Sequence, residues 1–496
     1  MRNVGLIVVV GLSLACSKTG LKGDDGGAGT GGGAGTGGGG AGTGIDGGAG
    51  TGIDGGAGTG GPDSGAKLVF EVPATPSRDL DMLFVVDTSQ SMAKLQAKFA
   101  ANFPTFINVL RGLPGGLPNL HIGVISADLG AGAYDISDIP GCRHGGDQGI
   151  LQSAPRGTTC ATGSLNGGQH FIVDGNGMKN YAGTLEDTFA CIASLGDQGC
   201  GFEQQFGSVL RALGADGNGP APAENAGFLR PDALLAITIL TNEDDCSAPI
   251  NSTFYDPSSR YVSDPLGPLT SFRCNEYGHL CGGQRPPRQT EVDLSGTCTS
   301  AEDGRLLRVA DVAKALKALK PGTPEKLLLS VIAGPPAPYA VKLTVPTLAD
   351  DPSKWPMVDH SCTAADQSHA DPAIRMNELA DAFGGNGVFQ SICAASLEPA
   401  SQRIAEEIGT RMGPTCLTNI SDAQPGVAGF QPDCTVVDHF VDATGPRDVT
   451  LESCLDTKDV APCWYAEPSA ACLSAAVKFR RPAAPGLQST TFTCKP

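Results

Sequence analysis

Oxygen-bearing side chains stand at alternate positions of one short stretch, Asp87-Thr88-Ser89-Gln90-Ser91, directly after the apolar run Leu83-Phe84-Val85-Val86. A carboxylate and two hydroxyls spaced this way on a strand-to-helix turn can point at one centre. Hard divalent cations, Mg²⁺, Mn²⁺ or Ca²⁺, take oxygen ligands of this kind. A site with few protein charges keeps residual positive charge and an open coordination position, which an acidic group on a partner can fill. The plain alternative is that Asp87 and Ser89 only cap the helix that follows.

The elements around this stretch follow from hydrophobic periodicity. The run ending at Val86 reads as a strand buried on both faces. A helical pattern follows through Leu95, Phe99, Phe103, Phe106, Val109 and Leu110, with Pro104 expected to kink or split it. Residues 121–126 form the next strand, and residues 185–195 and 204–213 read as helices. Residues 233–240 are the most apolar segment after the amino-terminal region and end in Thr241-Asn242. Helices over 305–319, 372–383 and 399–412, with strands over 326–333 and 387–392, complete the series. This alternation predicts an α/β fold, a doubly wound and mostly parallel sheet, with ligands at the carboxyl ends of its strands near the switch point.

The triplet Asp87-x-Ser89-x-Ser91 after one apolar strand, and a later apolar strand ending Leu240-Thr241-Asn242, resemble a von Willebrand factor A domain over about residues 67–414, with insertions. That family holds a divalent cation in a metal-ion-dependent adhesion site. The resemblance therefore implies a cation held by Asp87, Ser89 and Ser91 and a protein or glycan partner recognised through it. A family Thr between the two strands also ligates; by spacing to the following helix, Glu203 takes its place here. The family's second Asp is replaced by Asn242, and Glu243, Asp244 and Asp245 come next. Two readings stay open. In one, Glu203 supplies the charge that Asn242 lost and restores the site; in the other, it is a longer carboxylate that fills the open position and leaves a structural ion closed to partners.

The amino-terminal region predicts export. Arg2 precedes about a dozen apolar residues and Ala15 precedes Cys16, a secretory signal over residues 1–15 too short to span a bilayer. Its end resembles the lipobox of bacterial lipoproteins, with Ser13 in the slot usually held by Leu; an ordinary signal peptide cut nearby is the alternative. Lipidation of Cys16 leaves sixteen of the 17 cysteines, an even number suited to disulfides outside the cytosol. Ten lie between Cys142 and Cys393 and six between Cys416 and Cys494, which predicts two separately braced units. None forms a CxxC pair. Residues 16–66 form a glycine-rich tether in which Gly-Gly-Ala-Gly-Thr recurs, with an expected mean span of about 35–40 Å. The layout predicts an outer-membrane lipoprotein, periplasmic or cell-surface, attached to the membrane through lipid at Cys16.

The formal charge of −18, with no basic cluster, disfavours nucleic acid and anionic headgroups as partners. Long insertions carry Cys142, Cys160, Cys191 and Cys200, then Cys246, Cys274, Cys281 and Cys298, and are expected over the carboxyl edge of the sheet. Their Tyr255, Tyr261, Phe272 and Tyr277 form either a contact surface or the insertion's own core. Residues 415–496 read as a small β-rich module. Glycine and histidine signatures of hydrolases, nucleotide enzymes and metalloproteases are absent from the sequence, so no enzyme is expected. His360, Cys362 and His369 suggest zinc, against the stronger expectation that Cys362 is bridged. Asp174-Gly175-Asn176-Gly177 reads as a turn and not a calcium loop.

Overall fold

The computed structural model describes residues 67–495 apart from 74–77, 114, 138, 140, 157–162, 322, 347–350, 413–415, 418–419, 428, 443–444, 459, 468–474 and 483. The signal segment, Cys16, the tether and Cys160 lie outside the described residues.

After β1 (Leu68–Pro73) come β2 (Asp79–Val86), α1 (Ala93–Arg111), β3 (Asn119–Ser126), β4 (Ile172–Gly175), β5 (Met178–Lys179), α2 (Leu185–Ala193) and α3 (Gln205–Ala212). Then follow β6 (Leu234–Leu240), α4 (Phe272–Gly278), α5 (Val309–Lys317), β7 (Leu327–Ala333), α6 (Ile374–Ala382), β8 (Gly387–Ser391) and α7 (Glu398–Met412). Seven strands make one mixed sheet in the order β8-β7-β6-β2-β3-β4-β5. Neighbours from β8 through β3 pair in parallel, and β4 and β5 add antiparallel at one edge. Every residue of β6 and β7 is buried, as strands covered on both faces must be.

Side chains alternate along each strand, so the two faces bury different sets. Leu80, Met82, Phe84 and Val86 of β2 pack with α1, α2 and α7, whereas Leu83 and Val85 pack with α3, α5 and α6. Phe84, Phe99, Phe103, Phe106 and Phe189 form an aromatic knot, with the Phe103 and Phe189 rings stacked 3.6 Å apart. That knot explains a departure from expectation. Pro104 removes one backbone donor, yet α1 runs unbroken through it, because the buried residues on both sides of the proline hold the helix against the sheet. The turn Asn176-Gly177, both residues at positive φ, closes the β4–β5 hairpin as a two-residue loop.

Strand β2 lies between β3, which follows it, and β6, which follows β3. The direction of sheet growth therefore reverses between β2 and β6, and their carboxyl ends flank the resulting crevice. The Asp87 N–H donates to the Leu240 carbonyl at 3.0 Å and ties these ends together.

The insertions have their own core, in which Phe202, Phe254, Tyr255 and Tyr277 pack around the Cys142–Cys200 and Cys246–Cys274 disulfides. Tyr255, Phe272 and Tyr277 are buried and Tyr261 is exposed, so these aromatics mostly pack the insertion itself. Cys281–Cys298 and Cys362–Cys393 brace further loops, the latter settling Cys362 as bridged. Cys434–Cys494 and Cys454–Cys463 lie in the carboxyl-terminal region, and none of these six disulfides joins the two cysteine groups. Such bridges belong to an oxidising compartment outside the cytosol.

The carboxyl-terminal region adds β9 (Cys434–Asp442), β10 (Gly445–Thr450), β11 (Cys463–Glu467), β12 (Ala475–Arg480) and β13 (Leu487–Cys494). Its four-stranded sheet has the order β1-β13-β9-β10, with Val72, Val436, Trp464 and Phe492 at its core. Strand β1 pairs antiparallel with β13, Leu68 opposite Cys494 and Pro73 opposite Ser489. The chain thus enters the folded unit through the carboxyl-terminal sheet before it starts the seven-stranded one. Among the described residues no helix is long and apolar enough to cross a membrane.

Candidate cation site at the ends of β2 and β6

The turn after β2 is built around Asp87, which is fully buried. Its Oδ1 accepts from the Ser89 N–H at 2.7 Å, and its Oδ2 accepts from the Thr241 hydroxyl at 2.8 Å. Thr241 Oγ1 in turn accepts from Gln205 Nε2 at 2.8 Å. Three chain segments, the β2 turn, the β6 end and the start of α3, therefore converge on one carboxylate. Gln96 Nε2 donates to the Asp87 carbonyl at 2.7 Å and holds the turn from α1. On the other side, Gly199 N–H donates to the Thr88 carbonyl at 2.8 Å. A Cβ on Gly199 would stand 2.0 Å from Thr88 Oγ1, so only glycine lets the disulfide-bonded loop lie this close.

Glu203 is brought in by that same loop. Gln204 N–H donates to the Ala127 carbonyl, and the Glu203 carbonyl accepts from the Cys246 N–H, each at 2.8 Å. Only 2 % of Glu203 is exposed. Burial, then the charges of Glu243 and Asp87, hold its carboxyl well above the usual range. Glu243 is half-buried and is pushed up by burial and by the charges of Asp371 and Asp87. Asp87 is also raised, chiefly by burial, against the opposing bonds from Ser89 and Thr241. Like charges this close, away from water, cannot all ionise unless a positive charge joins them.

Asn242 completes the ring. Its Nδ2 donates to Ser91 Oγ at 2.8 Å and to the His369 carbonyl at 3.1 Å. A carbonyl only accepts, so this partner assigns the amide orientation and leaves Oδ1 as the free atom. The Asn242 carbonyl accepts from the Asp371 N–H at 2.8 Å.

Ser89 Oγ, Glu203 Oε1, Gln205 Oε1 and Asn242 Oδ1 are buried without a hydrogen-bond partner. Ser89 Oγ lies toward the Asp87 carboxylate without closing a bond of its own to it. Buried polar atoms are nearly always paired, and an orphaned group calls for a physical explanation such as an ion or water. Here the orphans are oxygens, gathered on residues that surround an acidic group. That donor set fits a hard divalent cation and does not fit a soft metal, which prefers thiolate or imidazole. Among the described residues, no group of three or more His, Cys, Asp or Glu side chains is arranged to hold a metal ion. The candidate set is of another kind, two carboxylates with hydroxyl and amide oxygens.

Each residue expected from sequence takes part in this arrangement: Asp87, Ser89, Ser91, Glu203 and Asn242. Asp244 and Asp245 do not join it. Asp244 accepts from Arg375 N–H, Met376 N–H and His279 Nε2, and so caps α6. Asp245 accepts from Phe206 N–H at the start of α3, from the Ser247 hydroxyl and from the buried Arg375 guanidinium. Glu243 alone of the three acidic residues faces the crevice group. Sequence reasoning missed Gln205 and Asp371, which reach the site from α3 and from beyond β7.

No family model matches this sequence, and no curated protein does. Among solved structures, the pilus adhesin RrgA from Streptococcus pneumoniae aligns at 9% identity over 86% of this chain and 57% of its own, with a TM-score of 0.27. The adhesive tip pilin GBS104 from Group B Streptococcus agalactiae aligns at 8% identity over 86% of this chain and 80% of its own, with a TM-score of 0.25. The chain spans little more than half the length of the first. Scores this low carry no argument about fold or function.

Proposed function

We propose that this chain is an exported, lipid-anchored protein whose α/β head binds one divalent cation at the ends of β2 and β6 and contacts a protein or glycan partner through it. The observation that carries this reading is the set of orphaned oxygens Ser89 Oγ, Glu203 Oε1 and Asn242 Oδ1 around the buried Asp87. Asp87, Ser89, Ser91, Glu203 and Asn242 would hold Mg²⁺, Mn²⁺ or Ca²⁺. The ion supplies positive charge that lets buried carboxylates ionise, and an open position on it would take an oxygen from the partner. Helices on both sheet faces and the strand order at the crevice support the von Willebrand factor A-like reading of the head, on which the adhesive role depends. Isothermal titration of the intact protein with Mn²⁺ tests the binding part. One site per chain is expected, and an Asp87→Ala variant that keeps its circular dichroism spectrum should lose it. A flat titration of the wild type rejects the reading.

A specific observation favours a second reading. Glu203 is almost wholly buried and carries a carboxylate where the resembling family has a hydroxyl. It can occupy the position a partner would use, which makes the ion a structural brace. Glu203→Thr separates the two: an open site predicts that metal-dependent partner binding survives the change, and a closed site predicts that it first arises with it. Anchoring is tested at Cys16. Cys16→Ser should release the protein from membranes and abolish incorporation of a labelled fatty acid.

A further inference from the structure

A hairpin outside the ligand set is fastened to the mouth of the site. Its short strands, Cys362–Thr363 and His369–Ala370, pair antiparallel. Three ties hold it there: the Asn242 amide on the His369 carbonyl, the Asp371 N–H on the Asn242 carbonyl, and the Cys362–Cys393 disulfide to the chain just past β8. Lys94 Nζ adds a bond from α1 to the Asp366 carbonyl at 3.1 Å. The hairpin brings two imidazoles together, His360 and His369, stacked with ring centroids 3.8 Å apart and planes within 23°. His360 Nδ1 bonds Asp371 Oδ1 at 2.7 Å, and its side chain is 35% exposed. Its Nε2 has no hydrogen-bond partner among the described residues.

Charge decides what this rim can admit. Asp87, Glu203, Glu243 and Asp371 crowd the mouth, and a divalent ion offsets only part of that charge. A further carboxylate approaching the ion meets net repulsion unless another positive group stands beside it. An imidazolium at His360 is such a group, and it lies on the same hairpin that orients Asn242.

We propose that the stacked His360–His369 pair is the recognition rim of the cation site, admitting a partner carboxylate to the ion when His360 carries its proton and excluding it when His360 is neutral. This rests on the cation reading above. The groups facing His360 are Asp371, Asp359 and the His369 ring. The bond from Asp371 is the strongest influence and holds the His360 proton above the ordinary imidazole range, burial opposing it and the charges of Asp371 and Asp359 assisting. The rim therefore keeps its charge to higher pH than a free imidazole would, and loses it as pH climbs further. A carboxylate-bearing ligand, from an acidic peptide or an acidic sugar, fits the charged state.

The test uses the whole protein loaded with Mn²⁺ and acetate as the probe. Bound Mn²⁺ is counted by electron paramagnetic resonance, and the paramagnetic relaxation of the acetate methyl protons is read per bound ion. Between about pH 6 and about pH 8.5 the wild type is expected to lose this relaxation by about threefold or more. His360→Gln should give a low value that does not change with pH, and His360→Lys, which keeps its charge, a high value across the range. A wild type with no pH dependence, or a His360→Gln variant that retains it, overturns the proposal. If Mn²⁺ stays free in the resonance spectrum, the cation reading has failed and this inference falls with it. N-acetyl-aspartate amide and glucuronate, run as two further probes, tell a peptide carboxylate from a sugar carboxylate.

Discussion

The Asn242 amide nitrogen and the His369 carbonyl oxygen are 3.1 Å apart, and this one bond decides which atom of Asn242 faces the site. Aspartate at 242 would set a carboxylate oxygen against the carbonyl. Asn242→Asp is therefore expected to destabilise the cation-free protein by about 1–3 kcal/mol, the cost of a buried polar group facing no partner. The added charge should also tighten cation binding. Urea unfolding with and without Mg²⁺ reads both effects. Equal stability of the two proteins in chelator would contradict the amide orientation.

The crowded carboxylates make cation-free stability fall as pH rises. Glu243 has a folded pKa pushed up to about 8, and Glu203 is raised as well. A carboxyl raised on folding contributes stability that is fully present below its unfolded value of about 4.5 and is lost as pH climbs through the folded one. In chelator, the urea midpoint should drop between about pH 5 and about pH 8. With saturating Mg²⁺ the drop should shrink, because the ion replaces the protons. The same exchange predicts proton release on metal binding near neutral pH, measured by titration in buffers of different ionisation enthalpy. A midpoint that rises over this range in chelator would show the opposite linkage.

Asp245 supports the site without belonging to it. It receives the buried Arg375 guanidinium at 3.1 Å, with neither side chain exposed, and it satisfies the first turn of α3 through Phe206 N–H. Asp245→Ala leaves a buried unpaired cation and should cost about 3–5 kcal/mol. Chemical denaturation in the presence of cation measures it. A loss below about 1 kcal/mol, the level of an exposed pair, would mean that Arg375 finds another acceptor.

Glu203 carries one of the two formal charges in the proposed ligand set. Glu203→Gln keeps the size and removes the charge. Its Mn²⁺ affinity should fall by about tenfold or more, corresponding to about 1.4 kcal/mol or more, while the chelator-treated variant becomes more stable than the wild type. Unchanged affinity would remove Glu203 from the set.

How much of this could be read from the chain depended on sequence distance. The strands were legible because buried parallel strands are continuous apolar runs, as at Leu83-Phe84-Val85-Val86. Asp87, Ser89 and Ser91 were legible because they act within one turn. Glu203 was placed by its distance to α3. The contacts of the His369 carbonyl and the Asp371 N–H with Asn242 were not legible, because they come from a hairpin more than a hundred residues later and nothing local to either segment encodes them. The same holds for β1, whose partner β13 is the last strand of the chain. Pro104 misled for another reason: local propensity argues for a break, and the packing of Phe99, Phe103 and Phe106 against Phe84 and Phe189 overrides it.

The central claim is an ion among named oxygens, and anomalous scattering from a crystal of the protein soaked in Mn²⁺ tests it most directly. The account predicts one strong anomalous peak within about 2.0–2.4 Å of Asp87, Ser89 or Ser91 oxygens, with Glu203 Oε1 and Asn242 Oδ1 turned toward it, directly or through water. A map with only water at this point, and Asp87 still bound to Thr241 and Ser89 alone, would contradict it.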